Sequence, residues 1–130
     1  MLRTYTHIGA VRVMNDSILT SIKKQLGITE EYIHFDQDII MHINAVLMIL
    51  NQMGIGPEGG YSIVDKMNTW DEFLPTDNKN FEAVKTYVGL KVRMVFDPPM
   101  SSAVAEAMKQ MIAELEWRLN VEAETGFKSV

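Results

Sequence analysis

The chain has 130 residues, is 47% hydrophobic, carries a formal net charge of -5 and contains no cysteine. That length and apolar fraction fit one globular domain with its own core and argue against a disordered chain. The missing cysteines exclude disulfides, thiolate metal sites and a cysteine nucleophile, and the acidic balance argues against a surface built to grip nucleic acid.

Met1 to Met14 carry Arg3, His7 and Arg12 without a continuous apolar core, so the stretch does not read as a signal peptide. It is expected as an extended arm, residues 1–14, in which Thr4, Tyr5, Thr6, Ile8, Val11 and Val13 alternate weakly enough to allow a short strand. Asn15, Asp16 and Ser17 form a capping cluster for a first helix. Ile18, Leu19, Ile22 and Leu26 follow at helical spacing, and Gly27 is the stop. A second helix is expected from Asp36 to Met53, ahead of Gly54. Its residues Ile39, Ile43, Val46, Leu47 and Leu50 share one face, and Met41 and Met48 lie nearly opposite. The run from Ile39 to Leu50 is broken by His42 and Asn44 and is shorter than the ~20 apolar residues of a membrane span.

Gly54 to Tyr61 holds four glycines and Pro57 and is expected as an exposed, mobile loop. Thr69 to Leu74 fits a single helical turn before Pro75. The third helix, Asn80 to Phe96, has one stripe of Phe81, Val84, Val88, Val92 and Val95 and another of Ala83, Tyr87, Leu90 and Met94, which predicts burial on two sides. Asp97, Pro98 and Pro99 end it. A fourth helix is expected from Ser101 or Ser102 to about Asn120, with Val104, Met108, Met111, Ile112, Leu115 and Leu119 inward and Trp117 pointing away. Val121 to Val130 reads as a short, flexible tail. The expected fold is therefore all-α, a small bundle of about four helices over residues 15–120, between an N-terminal arm and a C-terminal tail over residues 121–130.

Catalytic chemistry finds little support. His34, Asp36, Asp38 and His42 hold the only ligand-type side chains near one another in sequence, and Asp38 and His42 share a helix face. Acidic residues at a helix start are explained by capping and by the helix dipole. No serine lies in a nucleophile-elbow context, and the glycine-rich loop lacks the Lys–Ser/Thr end of a phosphate-binding loop. No metal, cofactor or catalytic residue is assigned, and the chain is not read as an enzyme. What the pattern does leave is apolar surface on helices already apolar on their core sides. Met41, Met48, Tyr87, Leu90 and Met94 are candidate subunit-interface residues, and Trp117 is a candidate anchor on a near-terminal helix where internal partners are scarce.

The string Ile18-Leu19-Thr20-Ser21-Ile22-Lys23-Lys24-Gln25-Leu26-Gly27-Ile28, followed by Phe35-Asp36-Gln37-Asp38 opening a long helix, resembles the N-terminal half of head–tail connector (adaptor) proteins of tailed bacteriophages. Val84 to Val88, Leu90 to Arg93, Phe96 to Pro99 and Met108 to Asn120 extend the likeness over roughly residues 17–124. The resemblance implies a structural virion protein at the head–tail interface, made in the host cytoplasm. It implies a homo-oligomeric ring, taken as a dodecamer, beneath the portal protein and above a stopper or tail-completion protein, with DNA only passing through the lumen and no membrane involved. It also implies portal or partner contact through the C-terminal helix, here Trp117, Asn120, Val121 and Phe127. The rival reading is a small helical protein–protein binding module, of regulator or immunity type, that uses Met41 and Met48 to grip a partner helix.

Overall fold

The computed structural model describes residues 17–128, with side chains to residue 123. The arm expected over residues 1–14, its short strand, and the capping residues Asn15 and Asp16 lie outside the described residues. The described residues form five helices: α1 (Ile18–Gln25), α2 (Asp36–Gln52), α3 (Trp70–Phe73), α4 (Phe81–Phe96) and α5 (Ser102–Lys128). The fold is a small all-α bundle, as the sequence pattern requires.

Local chemistry sets most boundaries. The Ser17 hydroxyl caps α1 by accepting from the Thr20 amide at 3.2 Å. Gly27, with φ of 79°, turns the chain after α1, and Gly54, with φ of 96°, does the same after α2. The turn α3 starts from Thr69, whose backbone N–H donates to the Glu72 carboxylate at 3.2 Å.

Helices α2 and α4 are antiparallel and form the centre. At one end the Phe35 and Phe96 rings meet edge-on at 5.3 Å, and at the other Gly54 and Asn80 line one crevice. Ile39, Ile43, Leu47 and Leu50 of α2 and Val84, Val88 and Val92 of α4 are buried between them. Helix α1 closes one side with Ile18, Leu19 and Ile22. Its approach to α4 is close at Gly89, where a Cβ would collide with the Gln25 side chain. Trp70 plugs the bundle from α3, and its indole N–H donates to the Ser21 hydroxyl at 2.8 Å.

Helix α5 folds back along α4 as an antiparallel hairpin arm. The Tyr87–Glu116 hydrogen bond and the Lys79–Glu122 ion pair fix its register. Two expectations change here. Helix α5 continues through Lys128 rather than ending near Asn120, because Val121-Glu122-Ala123-Glu124-Thr125 contains no helix breaker. Val104 and Met111 are exposed and not core, because α5 packs mainly on α4 and the flank that carries them stays uncovered.

The segment between α2 and α3 has no regular structure, yet it is tied down. The Asn44 side-chain amide donates to the Ile63 carbonyl at 3.0 Å, and its oxygen accepts from the Ile63 amide at 2.8 Å. One turn-pair further along α2, Asn51 donates to the Pro57 carbonyl at 2.6 Å. Ile55 and Ile63 are buried, and Gly56, with φ of 96°, lies so close under the Phe73 ring that a Cβ has no room. The glycine-rich stretch is the loop its composition suggested, exposed at Gly54, Glu58, Gly59 and Gly60, but it is anchored at Ile55, Gly56 and Pro57. Asparagine side chains bond the Pro57 carbonyl and both backbone groups of Ile63, which have no ladder partner.

Candidate interaction surface

The outward face of α2 is built by periodicity. Asn44 and Asn51 sit seven residues apart and hold the irregular segment along one flank of the helix. The next stripe round, Met41 and Met48, also seven apart, is left at 60% and 55% exposed. Val64 and Met67 of the tethered segment and Ile33 before α2 are also exposed, and Ile33 and Val64 line one crevice beside α1. This is a run of soft apolar surface on a chain whose core is already complete.

On α5, Trp117 is 65% exposed, and Asn120 and Val121 are exposed in the following turn. Phe127 belongs to the same helix, with its side chain outside the described set. Trp117 points outward because Leu119, Ile112 and Leu115 hold the opposite side of α5 against the bundle.

Tyr87 is not on the subunit's surface. It is fully buried where α4 meets α5, and its hydroxyl donates to Glu116 at 2.6 Å. Burial, with the hydrogen bond to the Glu116 carboxylate second, raises the phenol well above its ordinary value, so it stays protonated and a donor. Tyr87 is thus covered within the chain by α5 and is withdrawn from the candidate interface, while the rest of that stripe is only half-buried. Leu90 is half-buried on the same side. Met94 is also half-buried, in the wall of a groove of about 400 Å³ between α2, α4 and α5. Its buried and half-buried apolar lining is Val46, Ile49 and Ile112, with the exposed Ala45 and Val95 beside them, and His42, Lys91 and Lys109 edge it. Sequence reasoning missed the groove, because its walls come from three helices.

It also missed an ion pair. Lys23 is 2% exposed, and its ammonium contacts the Asp36 carboxylate at 2.8 Å while donating to the Glu30 carbonyl at 3.0 Å. The signal was present: Lys23 stands four residues after buried Leu19, on the inner flank of α1. Asp36 opens α2, as expected, but no side chain caps that helix and the Asp36 carboxylate goes to Lys23 instead. With Asp36 committed to Lys23, the four-residue set His34, Asp36, Asp38 and His42 is divided. Among the described residues no three acidic or histidine side chains come together to hold a metal ion. No described helix is long and apolar enough to cross a membrane.

Tyr61, Asn68 and Thr69 converge on the Glu72 carboxylate, with the Tyr61 hydroxyl donating at 2.6 Å and the Asn68 side chain at 3.3 Å. The Tyr61 bond, ahead of those from Asn68 and Thr69, holds the Glu72 carboxyl below its ordinary value. Burial, then the Glu72 bond, raises Tyr61. This cluster fastens the irregular segment to α3 and is explained by that structural task.

Comparison with known proteins gives one clear result. Neither the curated proteins nor the solved structures yield a match. The family model described as phage connector protein matches residues 18–126, from the first residue of α1 into the last turns of α5. The chain belongs to the phage connector protein family.

Proposed function

We propose that this protein is a non-catalytic structural part of a tailed-phage virion, a ring-forming adaptor between the portal and the stopper or tail, with DNA passing through the ring. Membership of the connector family over residues 18–126 is the observation that carries the reading. It implies a connector role within the phage particle. The ring, the lumen and the individual partners are the proposed refinement.

Three features support that refinement. Met41 and Met48, with the half-buried Leu90 and Met94, provide soft apolar area beyond the chain's own core, which suits contact with neighbouring copies. Trp117, Asn120, Val121 and Phe127 follow one another on the final helix. They form the end of the subunit that meets the portal, or a copy beside it. The net charge of -5 suits a conduit through which a polyanion must pass without sticking.

The test is the native mass of the purified full chain, alone and mixed with the portal ring of the same phage. A portal-bound species with a simple ratio of copies to portal subunits is the expected result. A chain that never joins the portal sinks the adaptor reading and leaves the exposed methionines of α2 to a helix-binding module.

A further inference from the structure

Two apolar grooves flank α5, and they differ in charge. One, of about 360 Å³, lies against Ala83, Thr86, Met111 and Leu115 and carries Glu82, Glu114 and Arg118, the last already paired with Glu114 at 2.9 Å. The other, between α2, α4 and α5, carries His42, Lys91 and Lys109 and no carboxylate. Its floor is apolar, and its volume falls at the small end of the ~300–1,000 Å³ typical of pockets that enclose a compact apolar group. It suits one large side chain rather than a helix.

The same chain displays such a side chain. At 100° per residue, Glu106, Gln110, Ala113 and Val121 all lie within about 40° of Trp117 on the outer face of α5. Trp117 is its exposed centre. Glu106 is the exposed charge with a described side chain on that face; Glu114, bridged to Arg118, stands on its margin about 60° from Trp117, and Lys109 lies about 80° to the other side. An acidic face with an aromatic knob and a basic-edged apolar groove are complementary in shape and in sign. They are also different patches of the same subunit, which is what a head-to-tail contact requires.

We infer that Trp117 of one copy seats in the groove of the next, between His42, Lys91, Met94, Val95 and Lys109, with Glu106 and Glu114 facing the two lysines. The inference rests on the proposed ring and names its contact. The acidic groove is rejected as the seat because it would set Glu82 and Glu114 against the carboxylates flanking Trp117.

The chain has no cysteine, so single substitutions report cleanly. Full-length V95C (in the basic groove) and V121C (one turn beyond Trp117) are mixed at high concentration under mild oxidation, with T86C (in the acidic groove) as the comparison. The V95C–V121C disulfide is expected to form at least about tenfold faster than the T86C–V121C disulfide. Self-association, followed by sedimentation, is expected to weaken about thirtyfold in W117A, the scale of one hot-spot residue. It is also expected to weaken about tenfold or more in K91E/K109E, and to recover when that variant is mixed with E106K/E114K. Faster T86C cross-linking, a K91E/K109E chain that associates normally, or a full chain that stays monomeric at about 1 mM overturns the inference. A chain that joins the portal while failing these tests leaves the adaptor reading intact. Correct cross-links in a chain that never joins the portal reject the adaptor reading alone.

Discussion

Helices α2 and α5 are both amphipathic and both touch α4, yet they are held very differently. Six residues of α2 are buried, and asparagines on its flank carry a second layer of chain. Helix α5 is longer, and among its described side chains only Leu119 is buried. The two tryptophans repeat the contrast, since Trp70 is enclosed and hydrogen-bonded in the bundle while Trp117 stands in solvent. Side chains of one type are therefore spent on folding in one half of the molecule and left exposed in the other. Hydrophobic content alone does not separate these tasks, and the number of neighbouring elements does.

Substitutions that break the contrast should differ in size accordingly. Trp70→Ala empties the bundle's plug and leaves the Ser21 hydroxyl without its donor. Denaturant unfolding should show a loss of about 3–5 kcal/mol. Asp36→Ala leaves Lys23 buried with no counter-charge, for about 3 kcal/mol in the same experiment, the low end of the range for a broken buried pair because Asp36 is partly exposed. If Asp36→Ala is neutral, the pair is incidental to α1 packing. Tyr87→Phe keeps the ring and removes the bond to Glu116, costing about 1 kcal/mol, and should leave assembly unchanged because the side chain is internal. Assembly lost in Tyr87→Phe at normal stability would return Tyr87 to the interface.

The smaller effects sharpen the comparison. Glu72 has a depressed pKa in the folded chain, so its contribution is complete above its ordinary value of 4.5 and fades as pH falls through the lower folded value. Stability measured from pH 7 down to 3 should therefore fall further in the wild type than in Glu72→Gln. Parallel curves for the two would show that the Tyr61–Glu72 cluster adds nothing. Trp117→Ala should change stability by less than about 0.5 kcal/mol, as for an ordinary surface position, while self-association suffers. A loss on the scale of Trp70→Ala would place Trp117 in the folding half of the molecule.

The helices were legible where their ends are written locally. Ser17 acts through its hydroxyl, Gly27 and Gly54 through positive φ and Pro98 through its ring, and even the single turn at Trp70 follows from its Thr69–Glu72 start and Pro75 stop. What was hidden depends on a partner distant in sequence. Val104 and Met111 fit the core stripe of α5 by spacing but find no element opposite them. Tyr87 looked like spare surface until α5 covered it. Lys23 and Asp36 are thirteen residues apart, each ordinary alone, and their pairing depends on the angle at which α1 meets α2. The candidate surface was half legible, because Met41, Met48 and Trp117 come from single-helix periodicity whereas the basic-edged groove needs three helices.

The Asn44 clamp has a consequence for how the molecule opens. Its two hydrogen bonds make the Ile63 backbone a dependant of α2, and Asn51 does the same for Pro57. When α2 unwinds, the connection loses these anchors with it, so Ile63 and Pro57 are held no more firmly than the helix that carries Asn44 and Asn51.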